Sequence, residues 1–199
     1  MSMPDGATHI GRIGPNAILQ LEEPVRSLIG RDAMAAVLNR SHVDMPSGDD
    51  MIPEDSVRTV HLALAELYPE RAPEVRTLSG TATGAYIRAH RIPNAAKWAL
   101  RLLPTLIGER ILTRAIVCHA WTFCGSGSVS ARHVSGRVEI SIRDNPLVDR
   151  NARNPLQCDW HEAVFRDLYA SLLRRDYRVS ETQCCGGGAK ACRFSIERM

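Results

Sequence analysis

The chain has 199 residues, of which 44% are apolar, and its 25 basic and 22 acidic side chains leave a net charge of +3. That length and composition suit one globular domain with a sizeable core. No apolar run approaches the roughly 20 residues of a membrane-spanning helix, and the charge is too small to argue for a nucleic-acid partner. The N-terminal stretch MSMPDGATHIGRIGPNA lacks a charged-then-apolar leader, so export is not expected. The charge is uneven: residues 1–100 carry 10 basic and 12 acidic side chains, and residues 101–199 carry 15 and 10.

Residues 1–15 read as a loose tail and residues 16–199 as a single domain. From Asn16 to Arg40, Leu21, Val25, Leu28, Ile29, Ala33 and Val37 recur at helical spacing and predict a helix. SHVDMPSGDDMIP, residues 41–53, is a polar loop. Pro53 opens a second helix with Glu54 and Asp55 in its first turn, where they favour the helix dipole. Its expected buried stripe is Val57, Val60, Leu64 and Leu67. A third helix is predicted from about Pro73 to Ile92, a short one from Lys97 to Leu103, and another from Pro104 to about Ala120. The last is drawn through Leu106, Ile107, Ile111, Ala115 and Val117.

The period then changes. Val138, Ile140 and Ile142 alternate with charged and small polar residues, as in a half-buried strand, and the segment from Trp121 to Ser130 is its expected hairpin partner. Asn145-Pro146 ends the strand. Asp159 and Glu162 read as a variant capping box before a helix with the stripe Trp160, Val164, Leu168 and Leu172. Strands at Tyr177–Thr182 and Ala191–Glu197 follow, joined by the CCGGG turn. Helices first, then strands around one helix, argue an α+β fold: N-terminal helices packed with an antiparallel sheet.

Six cysteines in an unexported chain point to a metal or to buried thiols before a disulfide framework. Cys158 precedes a helix, and Cys184 and Cys192 flank a Gly-rich turn between strands. With Glu181 they offer thiolates and one carboxylate, a donor set that suits tetrahedral zinc. Isolated buried thiols and a Cys184–Cys192 disulfide are the alternatives, and Cys185 competes with Cys184 as the ligand. Cys118 and Cys124 read as core residues. GSGSVS, residues 125–130, lacks the third glycine of a dinucleotide fingerprint.

CHAWTFCGSGSV, RDNPLV, QCDWHEAVFRDLYASLL and VSETQCCGGGAKACRFSI resemble the vinyl-4-reductase domain family, and the resemblance is carried best by residues 100–199. It implies a fold similar to subunits of vesicle-tethering complexes and to haem-based nitric-oxide sensors, with a ligand pocket between helices and sheet and a homodimeric assembly. It also implies a structural zinc on Cys158, Glu181, Cys184 and Cys192. The implied role lies in bacteriochlorophyll synthesis, where the family's named reaction reduces the 8-vinyl group (4-vinyl in older numbering) of a chlorophyllide precursor. Related domains sense small aromatic ligands.

The reading favoured here is binding of a magnesium-porphyrin or protochlorophyllide intermediate, carried or presented to other enzymes of the pathway. Trp98, Trp121 and Phe123 are candidates for contact with the ring, and Arg110, Arg114 and Arg132 for its carboxylates. His90, His119 and His133 are candidate axial ligands, although His119 also reads as a hydrogen-bonded core residue. His161 reads either as a metal-supporting group or as a solvated one. The expected location is the cytoplasm, with a peripheral position at the photosynthetic membrane as its variant.

Overall fold

The computed structural model describes residues 11–149 and 158–199; residues 1–10 of the expected tail lie outside them. Among the described residues the larger sheet has four antiparallel strands in the order β3-β4-β6-β5: β3 (Ser128–Val134), β4 (Arg137–Arg143), β5 (Tyr177–Gln183) and β6 (Ala191–Arg198). Register places Val138, Ile140 and Ile142 opposite Ile196, Phe194 and Cys192. All six side chains are buried. Because side chains alternate along a strand, they make one apolar face.

Helix α9 (Asp159–Leu173) covers that face, and Phe165 meets Phe194 with ring centroids 5.3 Å apart. Its sequence stripe of Trp160, Val164, Leu168 and Leu172 is buried, and so are Ala163, Phe165 and Tyr169. The helix is enclosed because α5 (Ala72–His90) packs along it. Two glycines allow the approach. A Cβ on Gly80 would sit 2.3 Å from the Trp160 carbonyl oxygen, and one on Gly84 would sit 2.6 Å from Asp167 Oδ2. Two ion pairs flank the contact: Arg76–Asp159 at 2.9 Å and Arg88–Asp167 at 2.8 Å.

The N-terminal segment departs from expectation. Gly11–Pro15 is not loose, since β1 (Arg12–Ile13) pairs with β2 (Ile52–Pro53) and Ile13 is buried. The single helix expected over Asn16–Arg40 is three: α1 (Asn16–Leu19), α2 (Glu22–Leu28) and α3 (Ala33–Ser41). Pro24 lacks an amide hydrogen and is tolerated only in a first helical turn, so a helix must restart near it. Gly30 has φ +140°, which no helix continues through. Leu21, Val25, Ala33 and Val37 still reach the core, because each short helix keeps its own apolar side inward.

Three further expectations shift. α4 (Glu54–Leu67) begins as expected, with Glu54 and Asp55 in its first turn, but Leu67 is exposed at its end. The segment expected to pair with β4 divides into α8 (Trp121–Cys124) and β3, which takes that place from Ser128. α6 (Asn94–Leu102) and α7 (Thr105–Cys118) form as helices, but α7 turns the opposite way from its apolar residues. Leu106, Ile107, Ile111 and Ala115 face solvent, and Gly108, Glu109, Leu112, Thr113 and Ile116 face inward. The inward polar groups have partners. Glu109 accepts a hydrogen bond from Tyr177 Oη at 2.8 Å and pairs with Arg198 Nε at 3.1 Å, while Thr113 Oγ1 lies 2.6 Å from Tyr169 Oη. A buried network satisfied on all sides fixes a helix's rotation more strongly than apolar count alone.

Alanine at Gly80 is favoured by about 1 kcal/mol on helix propensity alone. The Trp160 carbonyl is backbone and cannot swing aside, so Gly80→Ala is expected to destabilise the protein by about 1–3 kcal/mol through overpacking. Urea unfolding checks this; an unchanged or raised midpoint would contradict the packing described.

His61 supplies a pH dependence. It is buried on α4, and its Nε2 lies 3.0 Å from the Ala17 carbonyl. Burial, aided by the Arg76 charge and opposed by that hydrogen bond, lowers its pKa from 6.5 to about 4. The unfolded chain therefore binds more protons between these values, so stability is full above pH 6.5 and falls as the pH drops toward 4. His61→Gln should flatten that part of a stability–pH profile.

Candidate metal centre

The four donors foreseen in the sequence meet in one place. Cys158, Glu181, Cys184 and Cys192 each offer a ligand atom, and all four atoms lie within 4.8 Å of one another. Helix, strands and turn deliver them. Cys158 is the N-cap of α9, Glu181 lies on β5, Cys184 precedes a single 3-10 turn at Cys185–Gly187, and Cys192 lies on β6. Glu181 and Cys192 reach the cluster from the sheet, and the start of α9 rests against it. Gly188, at φ +86°, turns the chain back from Cys184 toward β6.

The cluster fits a cation. Cys184 Sγ and Cys192 Sγ are 4.0 Å apart, close to the roughly 3.8 Å edge of a tetrahedron of sulfurs held about 2.3 Å from a metal. The same separation is about twice the length of a sulfur–sulfur bond, so the disulfide alternative falls. The Oε1 atom of Glu181 is buried without a hydrogen-bond partner. Burial, with Cys184 nearby, raises the Glu181 pKa to about 8. Hydrogen bonds with Cys184 and Cys192, then burial, push the Cys158 thiol well above its ordinary value. Crowded acids of this kind are costly alone and are stabilised by a positive ion among them.

Neighbouring groups hold the donors in place. The Cys185 amide donates to Cys192 Sγ at 3.3 Å, and Asn145 Nδ2 donates to Cys158 Sγ at 3.5 Å. Asn145 is itself fixed, because its Oδ1 accepts from the Leu147 amide at 3.1 Å. Of the adjacent pair, Cys184 supplies the donor atom and Cys185 serves through its backbone. The expected capping box is absent: α9 has no side-chain cap, Asp159 pairs with Arg76, and the Glu162 carboxylate accepts from the Glu181 amide instead. Glu162 thereby orients the strand that carries a donor. Sequence reasoning marks neither Asn145 nor Glu162 as a site residue. Asn145 reads as a strand stop and Glu162 as a cap, and only the fold reveals the second use.

His161 is not solvated. It is fully buried among Phe123, Trp160, Phe165 and Phe194, and burial lowers its pKa to about 3. GSGSVS also finds a structural use: the Glu54 carboxylate accepts from the Ser126 amide at 2.7 Å and from its hydroxyl at 2.6 Å.

The aromatic and basic candidates spread differently. Trp98, Arg110, Arg114, His119 and Trp121 are all exposed, on α6, on α7 and around α8. His119 is therefore no core residue; its Nδ1 lies 2.9 Å from the Ala115 carbonyl in its own helix. Cys118 is exposed too, whereas Cys124 is buried. Phe123 is half-buried and packs edge-on against Phe165 at 5.9 Å, so it supports the core. Arg132 is committed to Glu139 across the hairpin at 2.6 Å. His90 is exposed and stacks on Tyr86, and His133 is exposed on β3.

This fold and this cluster define a vinyl-4-reductase domain, whose family model matches residues 138–198. The chain is 43% identical over 187 residues to the bacteriochlorophyll synthase 23 kDa chain of Cereibacter sphaeroides, covering 93% of this chain and 90% of that one. It belongs to the vinyl-4-reductase domain family and, within it, to the bacteriochlorophyll synthase 23 kDa chains. Among solved structures, an H-NOX protein described in terms of haem distortion superposes with TM-score 0.59 at 12% identity, over 94% of this chain and 95% of that one. The phenol-responsive sensory domain of the transcription activator PoxR, with phenol, superposes with TM-score 0.55 at 14% identity, over 82% and 89%. At those identities the likeness shows the fold alone.

Asn145→Ala should keep the fold and weaken metal affinity by about 10–100-fold, as loss of a group that holds a ligand does. Competition with a chromophoric chelator measures this, and unchanged affinity would remove Asn145 from the centre.

Proposed function

We propose that this chain binds a magnesium-porphyrin or protochlorophyllide-type intermediate of bacteriochlorophyll synthesis and presents it to enzymes of that pathway. The observation that carries the reading is the surface of α6–α8, where Trp98 and Trp121 offer flat faces and Arg110 and Arg114 offer bidentate partners for carboxylates. Kinship with a bacteriochlorophyll synthase chain supplies the pathway. An H-NOX relative in fold, described by its haem, supports a tetrapyrrole as the ligand class.

The ion at the cysteine cluster is zinc in this proposal, held by Cys158, Glu181, Cys184 and Cys192. Zinc held by four protein ligands organises a fold and has no position left for a substrate. Its work here is to clamp the start of α9 to β5 and β6. Homodimer formation and a peripheral place at the photosynthetic membrane belong to the same proposal.

A second reading is reduction of the 8-vinyl group with an external reductant, and a third is sensing of small aromatics, which the PoxR likeness favours. One titration separates the three. Purified protein is mixed with magnesium protoporphyrin, divinyl protochlorophyllide or phenol, with and without NADPH, and followed by absorbance and product analysis. Saturable tetrapyrrole shifts without an ethyl product are expected, and Arg110→Ala with Arg114→Ala should weaken them. Turnover would make the chain a reductase. A response to phenol alone would make it a sensor.

A further inference from the structure

Six of the nine large apolar residues exposed among the described residues fall between Trp98 and Trp121: Trp98, Leu102, Leu106, Ile107, Ile111 and Trp121. Each is between 47% and 81% exposed. Their arrangement is ordered. On α6, Trp98 and Leu102 are one helical turn apart. On α7, Leu106, Ile107 and Ile111 share the outward side with Arg110 and Arg114. Both helices pack on α9 through their other sides, so their outward sides form one surface. The inward rotation of α7 is held by the Glu109 network, which makes this exposure a built feature of the fold.

The charge on this surface has one sign. From Arg91 to Trp121 the sequence carries five basic residues, Arg91, Lys97, Arg101, Arg110 and Arg114, against one acid. That acid is Glu109, buried and paired with Arg198. The Arg101 guanidinium lies 5.7 Å from the Trp98 ring centroid, which sets a cation beside the exposed aromatic of α6. No helix among the described residues is long and apolar enough to cross a membrane, so contact with lipid would be in the interfacial plane.

We infer that the outward face of α6 and α7, with Trp121, docks onto an anionic lipid surface. Leucine and isoleucine side chains enter the headgroup boundary, the two tryptophans settle at the polar interface, and the arginines meet lipid phosphates. A second copy is the poorer occupant, because two such faces would bring arginines against arginines. An acidic protein would satisfy the charge but would leave two rings and four aliphatic side chains to find matching pockets. This docking rests on the proposed pathway role for its purpose, since an apolar pigment resides in membranes, but its physics stands apart from pigment binding.

The test uses the full chain without tetrapyrrole. Co-sedimentation is measured with vesicles of phosphatidylcholine alone and of phosphatidylcholine mixed with phosphatidylglycerol. Binding to the mixed vesicles, and little to the neutral ones, is expected. The double variant Arg110→Ala/Arg114→Ala should bind the mixed vesicles roughly 30-fold more weakly, as expected for two basic residues leaving an anionic surface. Ile107→Glu should abolish binding while metal content and circular dichroism stay unchanged. Failure of the wild-type chain to pellet, or variants that pellet as well as it does, would overturn the inference. A solution dimer dispersed by Ile107→Glu would assign the face to a second copy instead. Vesicle binding together with a negative pigment titration would leave this docking in place and remove only the tetrapyrrole reading.

Discussion

Everything around the candidate metal centre depends on how closely α5 approaches α9. Gly80 stands against the Trp160 carbonyl with no room for a methyl group, and Gly84 stands against Asp167 in the same way. That approach presses α9 onto the sheet and sets Cys158, at its start, beside Glu181 and Cys192. The Arg76–Asp159 pair also anchors the first turn of α9, one residue from that donor. Close backbone contact and a four-donor cluster therefore secure the same helix end from two sides. The first acts through packing and the second through charge.

A second constraint sets the surface. Glu109 is an acid deep in the protein, and an acid there is tolerable only with its partners in place. Tyr177 and Arg198 from the sheet provide them. Their price is rotational: with Glu109 inward, Leu106, Ile107 and Ile111 must face out. One buried carboxylate thus decides both how α7 joins the core and which side chains the molecule shows to its surroundings. The C-terminal strands contribute twice, with Cys192 to the metal donors and Arg198 to this network.

The sequence disclosed these parts unequally. Period-two alternation locates β4, β5 and β6 nearly to the residue, and the stripe of α9 is buried as expected. The four candidate metal donors are legible because thiols and carboxylates beside tight turns are chemically conspicuous, and because the C-terminal motif resembles a known family. Rotation and support are not legible. α7 carries more apolar residues on its exposed side, and the decisive signal is a single Glu whose partners lie far along the chain. Asn145 and Glu162 have obvious local uses, a strand stop and a cap, which hide their distant ones. The short N-terminal helices escape notice because a continuous apolar rhythm runs across Pro24 and Gly30, each of which breaks the backbone without breaking the pattern.

The strand order β3-β4-β6-β5 places the last strand of the sheet inside it, between two that precede it in the chain. Until β6 arrives, β4 and β5 each present an open row of amides and carbonyls, which is the geometry that recruits other chains. β6 also carries Cys192, so the same event closes the sheet and completes the metal donors. An ion that favours the assembled cluster therefore acts on the step at which the chain is most exposed to strand exchange. Metal starvation would accordingly show first as loss of soluble protein during folding, before any loss of function in molecules already folded.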